Sequence, residues 1–309
     1  MSFIEQLNEK FPIRRSKEQK AAFRAWFMQQ AEELGYSARV EENNGHLNVV
    51  VGDPETASAI FTAHYDTPAA SFLPNVMTPR NKVFFWAYQM LQVGILVALG
   101  CAVGVPLAVI SGDDYTGFLA GYAVYMGCLA LMIFGPANKH NVNDNTSGVA
   151  AVLETMARIP EENRSKTAFI LFDNEEKGCR GSGAYAKAHP QVKENGFLVN
   201  LDCVGDGDEI VMFPTKAMKQ DTAKMDALRK ITGAFGTKSI AIRDSGFSYY
   251  PSDQKQFPYG VGIAALRRSK RAGLYLSRIH TKKDTILEET NVNILRAAIV
   301  SLITCHAAN

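Results

Sequence analysis

The chain has 309 residues, 47% of them hydrophobic, enough for one large or two small domains with a substantial core. Its 33 Lys and Arg against 31 Asp and Glu give a formal net charge of +2, which excludes the electrostatic footprint of a nucleic-acid binder. The five cysteines, Cys101, Cys128, Cys179, Cys203 and Cys305, form no CxxC pair, which argues against a disulfide framework or a sulfur-ligated zinc site and for a reducing compartment.

The N-terminal stretch MSFIEQLNEKFPIRRS has charges inside its apolar part and no small-residue cleavage site, so it does not read as a secretory signal. Over residues 17–35, Ala22, Phe23, Trp26, Phe27 and Ala31 fall near helical spacing and Gly35 suits a C-cap, which predicts an amphipathic helix. Three strand-like runs follow, SARVEE (37–42), HLNVVVG (46–52) and SAIFTAH (58–64), separated by Asn-Asn-Gly and Asp-Pro turn signals. Beyond residue 148, VAAVLETMARI predicts a helix, TAFILFD a buried strand, Ser182–Ala188 a short helix, GFLVNLD another strand, and Thr290–Ala307 a last helix. Alternating strands and helices point to an α/β fold: a mixed, centrally parallel sheet flanked by helices.

One interval departs from this pattern. Val83–Ile110 and Phe118–Gly135 are apolar runs without a charged residue, and a membrane span needs about 20 mostly apolar residues. Residues 82–135 are therefore expected to form an all-α hydrophobic hairpin, inserted into a discontinuous domain of 1–81 and 136–309. It serves either as a two-span anchor contacting lipid through 83–135 or as a cap over an active site. Gln89, Gln92 and Pro106 interrupt the first run, which embedded helices tolerate. Arg80, Lys82 and Lys139 flank the outer ends and Asp113 and Asp114 occupy the turn. The positive-inside rule then puts the main domain at the cell membrane facing the cytoplasm; with the hairpin as a cap, the protein is cytoplasmic.

Metal-type side chains recur at strand ends. FTAHYDTP holds His64 and Asp66, NVNDNTSG holds Asp144, AFILFDNEEKG ends in the adjacent Glu175 and Glu176, LVNLDCVGDGD reaches Asp202, and SRIHTKKDT presents His280. Singly, each has an ordinary alternative: Asp144 or Asn145 as a helix cap, a histidine as a structural residue, paired acids as a solvated turn. Together they lie where open α/β sheets collect ligands, outside the carboxyl ends of the strands. Histidines and carboxylates without thiolate suit Zn2+ or a similar divalent ion, and the number of donors is enough for two ions about 3.5–4 Å apart.

In order, HYD, NDNTSG, DNEEKGCRGS, NLDCVGDGD and the terminal HT and DT pairs resemble the motif series of the family-28 zinc metallopeptidases, the di-zinc aminopeptidases, over about Ala59 to Thr285 outside the apolar insert. The stretch 252–266, SDQKQFPYGVGIAAL, resembles that family's substrate-pocket segment. The resemblance implies two divalent ions, best matched by Zn2+, with His64 and Asp202 on one, Glu176 and His280 on the other, and Asp144 between them. It further implies Glu175 as general base, Asp66 orienting the His64 imidazole, a cis peptide between Asp144 and Asn145, and peptides with a free N-terminus as substrates. Two departures stand out: the inserted hairpin, and Gln254 where many relatives have histidine. Tyr249, Tyr250, Phe257 and Tyr259 are either an aromatic pocket wall or plain core, and RRSKRAG (267–273) either meets anionic lipid or is a solvated loop. Two other functions fit the same motifs, a single-zinc glutaminyl-cyclase-like aminoacyltransferase and a non-catalytic membrane-associated binding homologue. Oligomeric state is not encoded in any of these features.

Overall fold

The computed structural model describes residues 1–306. Helices α1 (Phe3–Lys10) and α2 (Lys17–Glu33) each begin with a capping box, Ser2 with Glu5 and Ser16 with Gln19. Strands β1 (Ala38–Asn43), β2 (His46–Val51) and β3 (Ala59–His64) follow, then the long helices α3 (Lys82–Ser111) and α4 (Asp114–Phe134). Next come α5 (Gly148–Met156), α6 (Glu161–Arg164), β4 (Thr167–Phe172), α7 (Arg180–Ala188), α8 (Pro190–Asn195), β5 (Leu198–Leu201) and β6 (Glu209–Pro214). The remainder is α9 (Thr222–Lys230), β7 (Gly233–Phe235), β8 (Lys238–Ile242), β9 (Gly260–Ser269), β10 (Gly273–Tyr275) and α10 (Glu289–His306). The helix expected over Thr290–Ala307 is thus present; Ala307 lies outside the described residues.

The ten strands form one sheet in the order β1-β2-β4-β3-β5-β9-β6-β8-β7, with β10 beside β9. Its centre, β4-β3-β5-β9, is parallel, and β1, β2, β6 and β7 run antiparallel to neighbours. The expected mixed, centrally parallel α/β fold is what the chain adopts. Strands β3, β4 and β5 are buried at every position because both faces of the sheet are covered there. Alternation sends Val49, Phe61, Phe169 and Val199 to the face covered by α2, α5 and α10, while Val50, Ile60, Ile170 and Leu198 meet Tyr185, Val192 and Phe257 on the other.

Between Asp202 and α10 the sequence pattern gives no elements beyond the pocket-like stretch, whereas the structure holds β6 to β10 and α9. The central strand β9 reads GVGIAALRRS, rich in Gly and Ala, so neither alternation nor β-branched content marks it. Burial and packing fix it instead: a side chain at Gly262 would collide with the Gln254 carboxamide.

Helices α3 and α4 form a hairpin, joined through Gly112 and capped by the Asp113 side chain. Gly100 and Gly104 of α3 face Gly121 and Gly117 of α4 so closely that a Cβ on Gly104 would stand 2.6 Å from the Gly117 carbonyl oxygen, the small-residue packing by which apolar helices meet. Both helices are long and apolar enough to cross a membrane, and only 17% of one apolar window and 6% of the other is buried. Val83, Trp86, Met90, Val109, Phe118 and Phe134 are exposed.

The hairpin is tied to the rest at its base. Tyr88 Oη and Gln92 Nε2 both donate to the Pro74 carbonyl, at 2.6 and 3.0 Å, Phe85 packs edge-on against Tyr249, and Arg15 donates to the carbonyls of Ile133 and Gly135. Gln92, an interruption of the apolar run in sequence, is a strut in the fold.

Candidate metal centre

His64 is the last residue of β3, Glu175 and Glu176 follow β4, and Asp202 follows β5, so parallel strands deliver all four to one end of the sheet. Asp144 arrives from the turn before α5, where its peptide bond to Asn145 is cis, as the resemblance implies. The Asn145 side chain fixes this turn: Oδ1 accepts from Gly148 N and Cys203 N, and Nδ2 donates to the Leu201 carbonyl. Gly148 is obligatory, since any Cβ would strike the Leu201 carbonyl and the Asn145 carboxamide. His280 joins from the loop after β10 with φ +60°. Asn174, Cys179 and Cys203 beside the cluster also have positive φ, a concentration of strained backbone of the kind that functional sites sustain.

The fold brings the six expected ligating and base residues together. His64 Nε2 lies 3.3 Å from Asp144 Oδ1 and 3.7 Å from Asp202 Oδ1. His280 Nε2 lies 3.0 Å from Asp144 Oδ2 and 3.2 Å from Glu176 Oε2. Asp144 therefore belongs to two donor sets at once, one through each oxygen. In each set the ligand atoms lie within 4.8 Å of one another, as they do in a third grouping of His64, Glu175 and Glu176.

Asp66 plays a wider part than the sequence indicates. His64 Nδ1 is 3.2 Å from the Asp66 backbone carbonyl and 3.5 Å from its carboxylate. A carbonyl only accepts, so Nδ1 carries a proton, and Nε2 is the nitrogen turned toward Asp144 and Asp202. The Asp66 carboxylate itself accepts from the backbone N–H groups of Glu175 and Glu176, at 3.0 and 3.3 Å, which fixes the turn that aims those glutamates.

The residues fit a divalent cation on two physical grounds. Glu176 Oε1 is buried with no hydrogen-bond partner, a rare condition for a carboxylate oxygen unless it faces an ion or water. The charge balance points the same way. Burial disfavours protonated imidazole, yet Asp144, Asp202 and Asp66 outweigh it and hold His64 well above its ordinary pKa; burial likewise opposes His280, and Asp144 raises it. Burial, then neighbouring carboxylates, pushes Glu175 and Glu176 well above the usual carboxylate range. So concentrated a set of acids draws in positive charge, and nitrogen and oxygen donors without thiolate match Zn2+ or a similar ion.

The cluster opens into a cavity of about 190 Å3 lined in part by Asn75, Met77, Tyr250, Pro251 and Ile279. Of the four aromatics marked in sequence, Tyr250 lines this cavity and donates to the Asp202 carbonyl, and Tyr249 borders a neighbouring one. Phe257 is core, stacked on Phe172, and Tyr259 packs against the core under Lys224. Gln254 is a buried brace between Asn200 and the Tyr250 carbonyl. In the basic run 267–273, Arg267 pairs with Asp206 and Arg268 with Glu209.

Sequence reasoning missed Arg14, Asp253 and Asp284. Arg14 is fully buried, donates to the carbonyls of Tyr65 and Phe11 and to Thr146 Oγ1, and has its pKa lowered to about 10 by burial against the opposing pull of Asp66 and Asp144. Within a polar tetrapeptide nothing distinguishes it from a surface arginine. Asp284 accepts from Asn143 N and Asp144 N at 2.8 and 3.0 Å and is raised to about 7 by burial. Its only signal is its place in the motif that carries His280. Asp253 is raised to about 7 by burial and bonded to Ser182 Oγ.

This is an α/β fold whose candidate metal-binding side chains gather at one end of the sheet. The sequence matches peptidase family M28 over residues 131–302, more than half its length, and the chain belongs to that family. No curated protein matches it in sequence. Among solved structures, the glutaminyl cyclase of Porphyromonas gingivalis superposes with TM-score 0.61 at 13% identity over 98% of this chain and 96% of that one. The LapA aminopeptidase of Legionella pneumophila gives 0.58 at 14% over 97% and 69%, and a leucine aminopeptidase precursor from Bacteroides thetaiotaomicron gives 0.56 at 14% over 97% and 94%. At these identities the likeness is one of fold.

Proposed function

We propose that the chain is a membrane-anchored aminopeptidase holding two divalent metal ions, Zn2+ by donor chemistry. The observation that carries this is Asp144, whose two oxygens each complete a separate histidine and carboxylate set. His64 and Asp202 would hold one ion, Glu176 and His280 the other, with Asp144 shared. When bound, such ions supply Lewis-acid polarisation of the scissile carbonyl and acidify water.

The chain's own groups supply the rest. The acidic cavity attracts the cationic α-amine of a peptide terminus, and its small volume favours a chain end over a passing chain. Met77, Pro251 and Ile279 give the entering side chain an apolar wall. Glu175, its carboxyl made basic by burial, takes a proton from the attacking water at a carboxylate oxygen and returns it to the departing amine nitrogen. Cys179 Sγ, 3.2 Å from Glu175 Oε1, restrains that side chain. Asp66 holds both the His64 tautomer and the backbone of the glutamate pair. Residues 1–81 and 136–309 would form the catalytic domain and 82–135 the anchor, the main domain facing the cytoplasm. A cap over the cleft would bury its apolar surface against the domain, whereas α3 and α4 expose most of theirs.

The test is a panel of aminoacyl and N-acetylaminoacyl substrates with the protein in detergent, with metal content measured in parallel. Release of free amino acid from unblocked substrates only, abolished by chelation and restored by divalent ions at two per chain, is the expected result. Pyroglutamate formation from glutaminyl peptides with one ion per chain would replace this reading by the cyclase one, for which the full-length likeness to a glutaminyl cyclase speaks. Metal binding with neither reaction would leave a non-catalytic binding homologue.

A further inference from the structure

The sheet end that carries the metal-ligand cluster also carries a second concavity of about 490 Å3, between α2, the β1–β2 turn and the loop from β4 to α7. Six cationic side chains line it against two carboxylates, Glu42 and Asp173. Three of the cations are committed. Lys20 pairs with Asp173 at 2.6 Å, Arg24 donates to Tyr65 Oη, and Arg15 holds the last carbonyls of α4. The other three, Lys17, Lys177 and Arg180, form no ion pair among the described residues. Like charges converging on a concave surface repel and focus a positive potential that an anion relieves. An arginine fork beside lysine ammoniums matches a phosphate's oxygens.

Its position selects the source of that anion. Arg15 lines the cavity and also touches the carbonyls of Ile133 and Gly135, so the cavity lies one side chain away from the end of an apolar helix whose Leu131, Ile133 and Phe134 are exposed. If α4 crosses a bilayer, this is the level at which its headgroups begin. We infer that the cavity of Lys17, Lys177 and Arg180 binds a phosphate group, supplied by an anionic phospholipid of the adjoining leaflet. The site differs from the basic run 267–273, where Arg267 and Arg268 are neutralised by Asp206 and Glu209. Lipid held here bears on the β4–α7 loop, whose Asp173 and Asn174 immediately precede Glu175.

The full-length protein and its Lys17→Gln/Arg180→Gln variant, matched for thermal midpoint to establish equal folding, would be placed in phosphatidylcholine nanodiscs containing a minor fraction of phosphatidylglycerol. Native mass spectrometry then counts the lipids each retains. Wild type should retain phosphatidylglycerol over phosphatidylcholine, and the variant should lose about tenfold of that enrichment or more. In a second arm, 31P line broadening of inorganic phosphate is followed with both proteins in detergent. Phosphate binding that the variant abolishes, without lipid enrichment, would uphold the phosphate site and overturn its lipid source. Equal enrichment in both proteins together with no phosphate binding would overturn the site itself.

Discussion

The cluster of histidines and carboxylates and the apolar hairpin are opposite solutions to the same solvation problem. Around the cluster, polar groups are buried and nearly every one is bonded: Asp66 to two backbone amides, Asn145 to three partners, Asp284 to two. In the hairpin, more than four-fifths of each apolar window is left unburied, and its hydrogen bonds to the rest of the chain, among the described residues, lie at its base. A buried polar group demands a specific partner, so the cluster is rigid and intolerant of change. Exposed apolar surface demands only a matching solvent, so the hairpin is set by composition and by one line of glycines.

Substitutions can break this contrast at either end. The largest effect is expected from Asp144→Ala, which removes the carboxylate common to both donor sets: metal content measured by plasma emission should fall by both ions and peptide hydrolysis should vanish. Retention of both ions would show that the sets are independent. Glu175→Gln should lower kcat by about a thousandfold while leaving metal content intact, and unchanged turnover would refute the proposed role of Glu175 as base. Next, Asp284→Asn loses an acceptor for the Asn143 and Asp144 amides, and metal affinity by competitive chelator titration should weaken about 10–100-fold.

Smaller effects belong to the hairpin. Gly104→Val forces a side chain into the Gly117 backbone and should cost about 1–3 kcal/mol of stability in detergent, read as a lower unfolding midpoint, with metal content unaltered. Loss of metal in that variant would contradict the separation of the two regions. The mildest change is Gln92→Leu, which removes one of two donors to Pro74 at a cost of about 1 kcal/mol. Because Asn75 and Met77 line the cavity, the effect should appear as a few-fold rise in KM with kcat nearly unchanged.

Strong local patterns are what the sequence displays openly. The amphipathic α2, the alternating and apolar runs of β1 to β5, and two uncharged stretches each state their own conformation, because the solvent on each side of an element selects its residues at a fixed period. The strands β6 to β10 stayed hidden since short, fully buried or Gly- and Ala-rich segments carry no period. For the site, His64, Asp144, Glu175, Glu176, Asp202 and His280 were legible only as a set, through their order and, for His64, Glu175, Glu176 and Asp202, their places at strand ends. Arg14 and Asp253 were not legible, because a buried charge has the same letter as a solvated one.

The amino-acid order alone thus determined the α/β class, the hairpin and the inventory of donors. Tertiary structure alone decided that Asp144 would face two histidines with different oxygens, that Asp66 would serve backbone amides as well as an imidazole, and that Lys17 and Arg180 would share a cavity. The physical reason is that periodicity is a property of neighbours along the chain, whereas coordination and charge balance depend on distances between residues far apart in sequence, which only the closing of the sheet sets.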